Sequence, residues 1–175
     1  YEKFFDAIQS ALPGVIIAGD STQPVYYAWL HYETEKPRRY FHSASGFGTL
    51  GYAIPAAIGA KLAMPDSPVM GLIGDGAAQF TIGEMAAAVE AKLPVIFLIW
   101  NNNGYGEIKR FMAEGDIPQI GVDIYTPDFI ALGKAFGCHA VIVNNLNQLQ
   151  QELVTASERQ LPTVIEVKQG DFVDI

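Results

Sequence analysis

Short apolar segments alternate with helical patterns along nearly the whole chain, and this alternation constrains the fold more than any other feature of the sequence. Five apolar segments are predicted strands, at residues 15–18, 69–73, 94–100, 140–143 and 163–167. Helices are predicted over residues 4–12, 24–32, 52–64, 82–92, 105–112, 129–136 and 146–158. Strands that are apolar throughout and separated by helices are typical of a parallel sheet covered on both faces. We therefore predict an α/β fold, a doubly wound parallel sheet of about six strands with helices on both faces.

The length and composition indicate one domain. The chain has 175 residues, half of them hydrophobic, which is enough for one large core. Because the chain begins at Tyr1 and a helical pattern starts at residue 4, we expect residues 1–175 to be a piece of a longer protein. The longest apolar run, residues 93–100, is too short to cross a membrane. A single cysteine, Cys138, excludes an internal disulfide and fits a reducing, cytoplasmic setting.

The chain is acidic, with a formal net charge of −8. Such a surface argues against a nucleic-acid partner, because the phosphates would be repelled. A small anion could still bind at one site if helix N-termini or a metal ion reversed the field there.

Glycine and small polar residues follow three of the predicted strands, at residues 19–23, 74–78 and 101–106. In a parallel sheet these segments meet at one edge, where ligands of doubly wound domains bind. Asp75 and Asn102 are separated by one predicted helix and one predicted strand, so we expect them to lie on neighbouring elements. A carboxylate and an amide oxygen suit a hard cation such as Mg²⁺, which would also allow an anionic phosphate to bind beside Asp75.

Two other interpretations compete with a metal and phosphate site. A single Gly-Asp-Gly segment is often only a turn whose aspartate caps the next helix. Residues 46–51 also match the G-x-G-x-x-G pattern of dinucleotide-binding proteins, which would indicate an NAD-dependent oxidoreductase. That pattern normally follows a central strand, whereas residues 40–45 are polar and short.

Gly74-Asp75-Gly76, followed after one helix and one strand by Asn101-Asn102, resembles the motif of thiamine-diphosphate enzymes. The chain is similar over nearly its whole length to the C-terminal, diphosphate-binding domain of the acetolactate synthase and benzoylformate decarboxylase group. Residues 46–61 resemble the segment of that domain that holds the pyrimidine ring of the cofactor. The motifs are specific for the superfamily and much less so for the reaction.

The resemblance implies a role for each matching residue. Asp75, the side chain of Asn102 and the carbonyl of Gly104 would bind Mg²⁺. The Gly48 carbonyl would accept a hydrogen bond from the 4′-amino group of the pyrimidine, and Leu50 would support the bent, V-shaped cofactor. The other residues expected to contact the cofactor are Thr22, Gln23, Gly74, Gly76, Ala77 and Tyr105.

Two departures from the family pattern concern Ala77 and Ile108. Ala77 stands where many relatives have serine, so one hydroxyl contact to phosphate is missing. Ile108 stands where pyruvate decarboxylases have glutamate, which argues against that subgroup.

By the same resemblance, no catalytic residue is expected within this chain. The glutamate that activates the cofactor would come from a separate N-terminal, pyrimidine-binding domain of a partner subunit in a homodimer or homotetramer. The parent enzyme would decarboxylate a 2-oxo acid and either release an aldehyde or join the product to a second carbonyl. The chain alone could instead be a binding or assembly module without activity.

Overall fold

The computed structural model describes residues 1–172, which form a six-stranded parallel sheet in the order β2-β1-β3-β4-β6-β5. The strands are β1 (Ile16–Gly19), β2 (Tyr40–His42), β3 (Val69–Gly74), β4 (Ile96–Asn101), β5 (His139–Val143) and β6 (Thr163–Lys168). The helices are α1 (Glu2–Ala11), α2 (Gln23–His31), α3 (Ala53–Ala63), α4 (Asp75–Thr81), α5 (Met85–Glu90), α6 (Gly106–Glu114), α7 (Phe129–Phe136) and α8 (Leu146–Glu158). The predicted doubly wound α/β fold is confirmed.

Helices cover both faces of the sheet because successive residues of each buried strand point to opposite sides. In β4, Ile96, Leu98 and Trp100 pack with the core formed by α1, α2 and α8. Phe97 and Ile99 pack with the core on the other face, formed by α3, α4, α5 and α7. A strand buried on both faces is apolar throughout, which explains the unbroken runs in the sequence.

Local sequence determines where several helices begin and end. Asp128 precedes α7 and its Oδ1 accepts a hydrogen bond from Ala131 N at 2.9 Å, while Asn145 caps α8 through Gln148 N at 2.9 Å. After α7, Gly137 has a φ of +93°, a left-handed conformation that glycine adopts at low cost.

Two parts of the chain differ from the prediction. The sixth strand is β2, a short edge strand that the pattern did not predict because residues 40–45 are only partly apolar. The predicted helix over residues 82–92 is wrong in its bounds. The chain turns directly from β3 into α4 at Asp75, passes through a 3-10 turn at Ile82–Glu84 and continues as α5.

The connection order places a crevice between β1 and β3. From β1 the chain continues to β2 on one side, and from β3 it continues to β4 on the other. The connections that leave these two adjacent strands therefore run in opposite directions, and a doubly wound sheet binds its ligands at such a switch point, beyond the carboxyl ends of the strands. No helix in the described part of the chain is long and apolar enough to span a membrane.

Candidate functional site

A cavity lies at the carboxyl edge of the sheet, beyond β1, β3 and β4. All of the residues that the sequence singled out for the cofactor line this one cavity: Thr22, Gln23, Gly48, Leu50, Gly74, Asp75, Gly76, Ala77, Asn102, Gly104 and Tyr105. Five further residues complete the lining: Ser21, Tyr26, Gly106, Glu107 and Ile108. The fold thus brings segments more than 80 residues apart in sequence to one place.

Asp75 is the first residue of α4, and its side chain is held by the loop that follows β4. Its Oδ2 accepts hydrogen bonds from Gly104 N at 2.8 Å and from Thr126 Oγ1 at 3.3 Å, and Oδ1 accepts one from Asn102 N at 3.4 Å. The residue is 1% exposed. Burial raises the pKa of Asp75, and the backbone N–H groups of Asn102 and Gly104 oppose that shift.

The loop after β4 is shaped by Asn101, the buried last residue of β4, which does not line the cavity. Asn101 Oδ1 accepts a hydrogen bond from Asn103 N at 2.9 Å, and its Nδ2 donates to the buried Glu166 at 2.7 Å. Asn103 has a φ of +60°, which turns the chain so that Asn102 and Gly104 both reach the cavity. The two adjacent asparagines therefore differ in role, since Asn101 supports the turn and Asn102 faces the ligand space.

Three acceptor oxygens of cavity-lining residues lie close together: Asn102 Oδ1, the Gly104 carbonyl oxygen and Asp75 Oδ1. In one orientation of the Asn102 amide, Oδ1 lies 2.8 Å from the Gly104 carbonyl oxygen and 3.1 Å from Asp75 Oδ1. With the amide turned by 180°, Nδ2 would donate a hydrogen bond to both oxygens, so the orientation depends on whether a cation is bound.

The spacing of these oxygens fits a small hard cation. Adjacent oxygen ligands of octahedral Mg²⁺ lie roughly 2.9 Å apart, because each is about 2.1 Å from the metal at right angles to its neighbour. No cluster of three or more His, Cys, Asp or Glu side chains that could hold a metal ion occurs within residues 1–172. An ion here would therefore need the amide and carbonyl oxygens, together with oxygens from a ligand or water.

Three helices begin at the wall of this cavity. The residues that precede α2, α4 and α6 are Thr22, Gly74 and Tyr105, and none of them caps its helix with a side-chain hydrogen bond. Backbone N–H groups in the first turn of a helix lack intrahelical partners, and the helix dipole adds partial positive charge. Together, the three helix N-termini provide the local positive charge that an anion needs in order to bind to a chain of net charge −8.

Gly48 and Leu50 approach the cavity from the loop between β2 and α3. Leu50 is half-buried and also packs against the core that contains α3, so one side chain contacts both the cavity and the core. The glycine-rich pattern of residues 46–51 follows a 3-10 turn at Ser43–Ser45 and the edge strand β2. This is not the central-strand context of a dinucleotide fingerprint.

Sequence reasoning missed Thr126 and several lining residues. Thr126 lies in a segment without regular structure between α6 and α7, and it reaches Asp75 across 51 positions, so no local pattern marks it. Ser21 could have been found, because it belongs to the polar segment directly after β1.

Comparison with known proteins identifies the family. The model for the C-terminal TPP binding domain of thiamine pyrophosphate enzymes matches residues 20–167. The probable 2-ketoarginine decarboxylase AruI of Pseudomonas aeruginosa is 36% identical over 170 residues, which cover 96% of this chain and 30% of that protein. The acetolactate synthase large subunit of Buchnera aphidicola subsp. Schlechtendalia chinensis is 34% identical over 148 residues, covering 82% of this chain and 25% of that protein.

A solved structure agrees with the sequence comparison. The thiamine diphosphate-dependent 4-hydroxybenzoylformate decarboxylase of Rhodococcus jostii RHA1 superposes with a TM-score of 0.85 at 32% identity. The match covers 95% of this chain and 32% of that one, so the chain spans about a third of the relatives it matches, or less. The chain belongs to the thiamine pyrophosphate enzymes and is their C-terminal, cofactor-binding domain.

Proposed function

We propose that this domain binds the diphosphate of thiamine diphosphate through one Mg²⁺ ion held by Asp75, Asn102 and Gly104. The observation that supports it best is the convergence of three oxygens at 2.8 Å and 3.1 Å, close to the spacing of adjacent ligands around octahedral Mg²⁺. Oxygens of the diphosphate and water complete the coordination. The hydrogen bonds from Gly104 N and Thr126 Oγ1 orient Asp75 before the metal arrives.

The diphosphate is bound where the first turns of α2, α4 and α6 meet. Gly76 and Ala77 contribute backbone N–H groups, and Thr22 and Gln23 reach the terminal phosphate from the end of β1. Mg²⁺ offsets the charge of Asp75, which would otherwise repel the diphosphate. Gly74 and Tyr105 also line the cavity, at the end of β3 and directly before α6.

Gly48 and Leu50 bind the other half of the cofactor. The Gly48 carbonyl accepts a hydrogen bond from the 4′-amino group of the pyrimidine, and Leu50 supports the bent conformation that brings this amino group toward the thiazolium ring. Support comes from their position, since both line the cavity from the loop between β2 and α3, whereas Asp75 belongs to α4 and Asn102 and Gly104 to the loop after β4.

The whole enzyme decarboxylates a 2-oxo acid and either releases an aldehyde or joins the product to a second carbonyl compound. When bound, thiamine diphosphate supplies the electron sink for this chemistry, and the residues of this chain bind and orient it. The activating glutamate comes from an N-terminal, pyrimidine-binding domain of a partner subunit in a homodimer or homotetramer. Support for a larger protein is that this chain spans 30% of AruI and 25% of the acetolactate synthase subunit.

Calorimetry of thiamine diphosphate with the full-length enzyme tests the metal-dependent binding. We expect binding in the presence of Mg²⁺ and loss of binding when the ion is removed with a chelator. An unchanged affinity without a divalent cation would contradict the metal site. Titration with NAD is expected to give no saturable heat of binding. A saturable heat would instead favour the oxidoreductase interpretation.

Release of carbon dioxide from a panel of 2-oxo acids tests the activity. The panel includes 2-ketoarginine and 4-hydroxybenzoylformate, the substrates named for two relatives. We expect turnover of a 2-oxo acid by the full-length enzyme and none by this domain alone, because the activating glutamate lies outside it. Turnover by the isolated domain would contradict the proposal that a second domain supplies the activating glutamate.

A further inference from the structure

The Gly48 carbonyl is held by a serine from a different part of the chain. Ser21 Oγ donates a hydrogen bond to Gly48 O at 3.1 Å and lies 3.0 Å from Ser43 Oγ. Gly48 N in turn donates to Ser43 O at 3.0 Å. The loop at residues 43–48 is therefore closed on itself and tied to Ser21, the second residue after β1.

Ser21 is itself fixed by its neighbour Asp20, which is fully buried. Asp20 Oδ1 accepts a hydrogen bond from Ser21 N at 3.0 Å, and Oδ2 accepts one from Ala53 N at 2.9 Å, at the start of α3. The backbone of Ser21 is thus anchored to both β1 and α3. The backbone that carries the Ser21 hydroxyl is therefore held from outside the glycine-rich loop.

Gly48 has little packing of its own to set the direction of its carbonyl. Its φ is +67°, and a β-carbon built on it would meet no atom within 4 Å. The adjacent Phe47 is fully exposed. A carbonyl oxygen has two lone pairs, so it can accept from Ser21 and from a ligand amino group at once.

We propose that Ser21 is a positioning residue that aims the Gly48 carbonyl at the 4′-amino group of the cofactor's pyrimidine. The inference rests on the proposed function, since it requires thiamine diphosphate in this cavity. Ser21, Gly48 and Leu50 line the same cavity, and the hydrogen bond places the serine hydroxyl beside the Gly48 carbonyl. Loss of its hydroxyl leaves the carbonyl free to turn away from the amino group.

The test compares two cofactors in the full-length enzyme by calorimetry with Mg²⁺ present: thiamine diphosphate and its analogue that lacks the 4′-amino group. Ser21→Ala should weaken binding of thiamine diphosphate about two- to tenfold, the loss of one neutral hydrogen bond. Binding of the analogue should not change, because it has no amino group to orient. Ser21→Thr keeps the hydroxyl and should restore the affinity for thiamine diphosphate.

Ser45→Ala is the matched control, since Ser45 lies in the same loop, bonds His42 Nε2 at 3.3 Å and does not line the cavity. It should leave both affinities unchanged. Ser43→Ala, which removes the hydroxyl beside Ser21, should act in the same direction as Ser21→Ala with a smaller factor. These two variants separate a loss of loop structure from a loss of carbonyl direction.

Two results would overturn the inference while the proposed function stands. Ser21→Ala could weaken both cofactors by the same factor, in which case Ser21 acts on the diphosphate or on the fold. It could also leave both affinities at the wild-type value. If the wild-type enzyme fails to bind thiamine diphosphate at all, the proposed function is wrong and the inference is wrong with it.

Discussion

Gly106 packs directly against the side chain of Asn102. A β-carbon built on Gly106 would lie 2.5 Å from Asn102 Nδ2 and 3.1 Å from Asn102 Cγ, both closer than real contacts allow. Gly106 begins α6, so the backbone there is fixed and the asparagine would have to move. The absence of a side chain at Gly106 thus keeps the Asn102 amide beside Gly104 and Asp75.

Replacing Gly106 by alanine should push the Asn102 side chain away from the proposed metal site. Mg²⁺-dependent binding of thiamine diphosphate should then weaken about 10- to 100-fold, the usual effect of disturbing a residue that positions a metal ligand. The measurement is calorimetry on the full-length enzyme. Gly59→Ala is the matched control, because a β-carbon at that position of α3 would meet no atom within 4 Å. It should leave binding unchanged, and equal losses in both variants would contradict the packing argument.

Asp75→Ala should abolish Mg²⁺-dependent binding of the cofactor while the fold remains intact. Asp75 carries the one carboxylate oxygen among the three converging oxygens, and its removal also frees Gly104 N and Thr126 Oγ1. Thr126→Val, which removes one supporting hydrogen bond, should weaken binding by roughly tenfold or less. Unchanged thiamine diphosphate affinity in Asp75→Ala would show that the metal site has been misplaced.

The two adjacent asparagines should respond differently to truncation. Asn102→Ala should weaken cofactor binding less than Asp75→Ala, because an amide ligand is neutral. Asn101→Ala should mainly lower the free energy of unfolding, by about 1–3 kcal/mol, because the buried Glu166 loses its hydrogen-bond partner. Normal magnesium binding by Asn102→Ala, with loss of binding in Asn101→Ala, would reverse the assignment.

Much of this site could be predicted from sequence because its parts follow strands. Asp75 and Asn102 come after two apolar runs, and parallel strands carry the residues at their carboxyl ends to one edge. Thr126 could not be predicted, since its segment has no helical or strand period and its contact spans 51 positions. The pairing of Ser21 with Gly48 likewise depends on the loop conformation, which no spacing rule specifies.

The fold was predicted best where strands are buried on both faces and least well at the edge. The strand β2 has only three residues, and two of them are half-buried, so its pattern lacks the unbroken apolar run of β3 or β4. Gly74-Asp75-Gly76 suggested a turn by composition. In the structure Gly74 ends β3 and Asp75 begins α4, so no separate turn lies between the strand and the helix.

Cys138 should be unreactive in the folded protein below pH 9. Burial raises the pKa of its thiol to about 11, from an ordinary value of 9.0, so the folded state retains the proton and little thiolate forms. Stability from this group is present below pH 9 and is lost as the pH rises toward 11. Alkylation of Cys138 with iodoacetamide at pH 8 should be no faster than unfolding of the protein, and rapid reaction of the native protein would contradict the burial.

The position of Leu50 supports two interpretations. It lines the cavity and also packs against the core beside α3. If Leu50 supports the bent cofactor, Leu50→Ala should leave diphosphate binding nearly intact, since the residues proposed to bind Mg²⁺ lie in α4 and in the loop after β4. It should lower turnover, because small misplacements at a reacting centre are costly.

As an ordinary core leucine, Leu50 would instead contribute mainly to stability, and truncation would cost up to about 2–5 kcal/mol. Because Leu50 is only half-buried, we expect a cost at or below the lower end of this range. The comparison uses the full-length enzyme, with turnover expressed per folded molecule, the melting temperature and the affinity for thiamine diphosphate. Leu62→Ala, an exposed leucine of α3, is the control that should change none of them. A lower melting temperature with wild-type turnover per folded molecule would mean that Leu50 is a core residue and does not shape the cofactor.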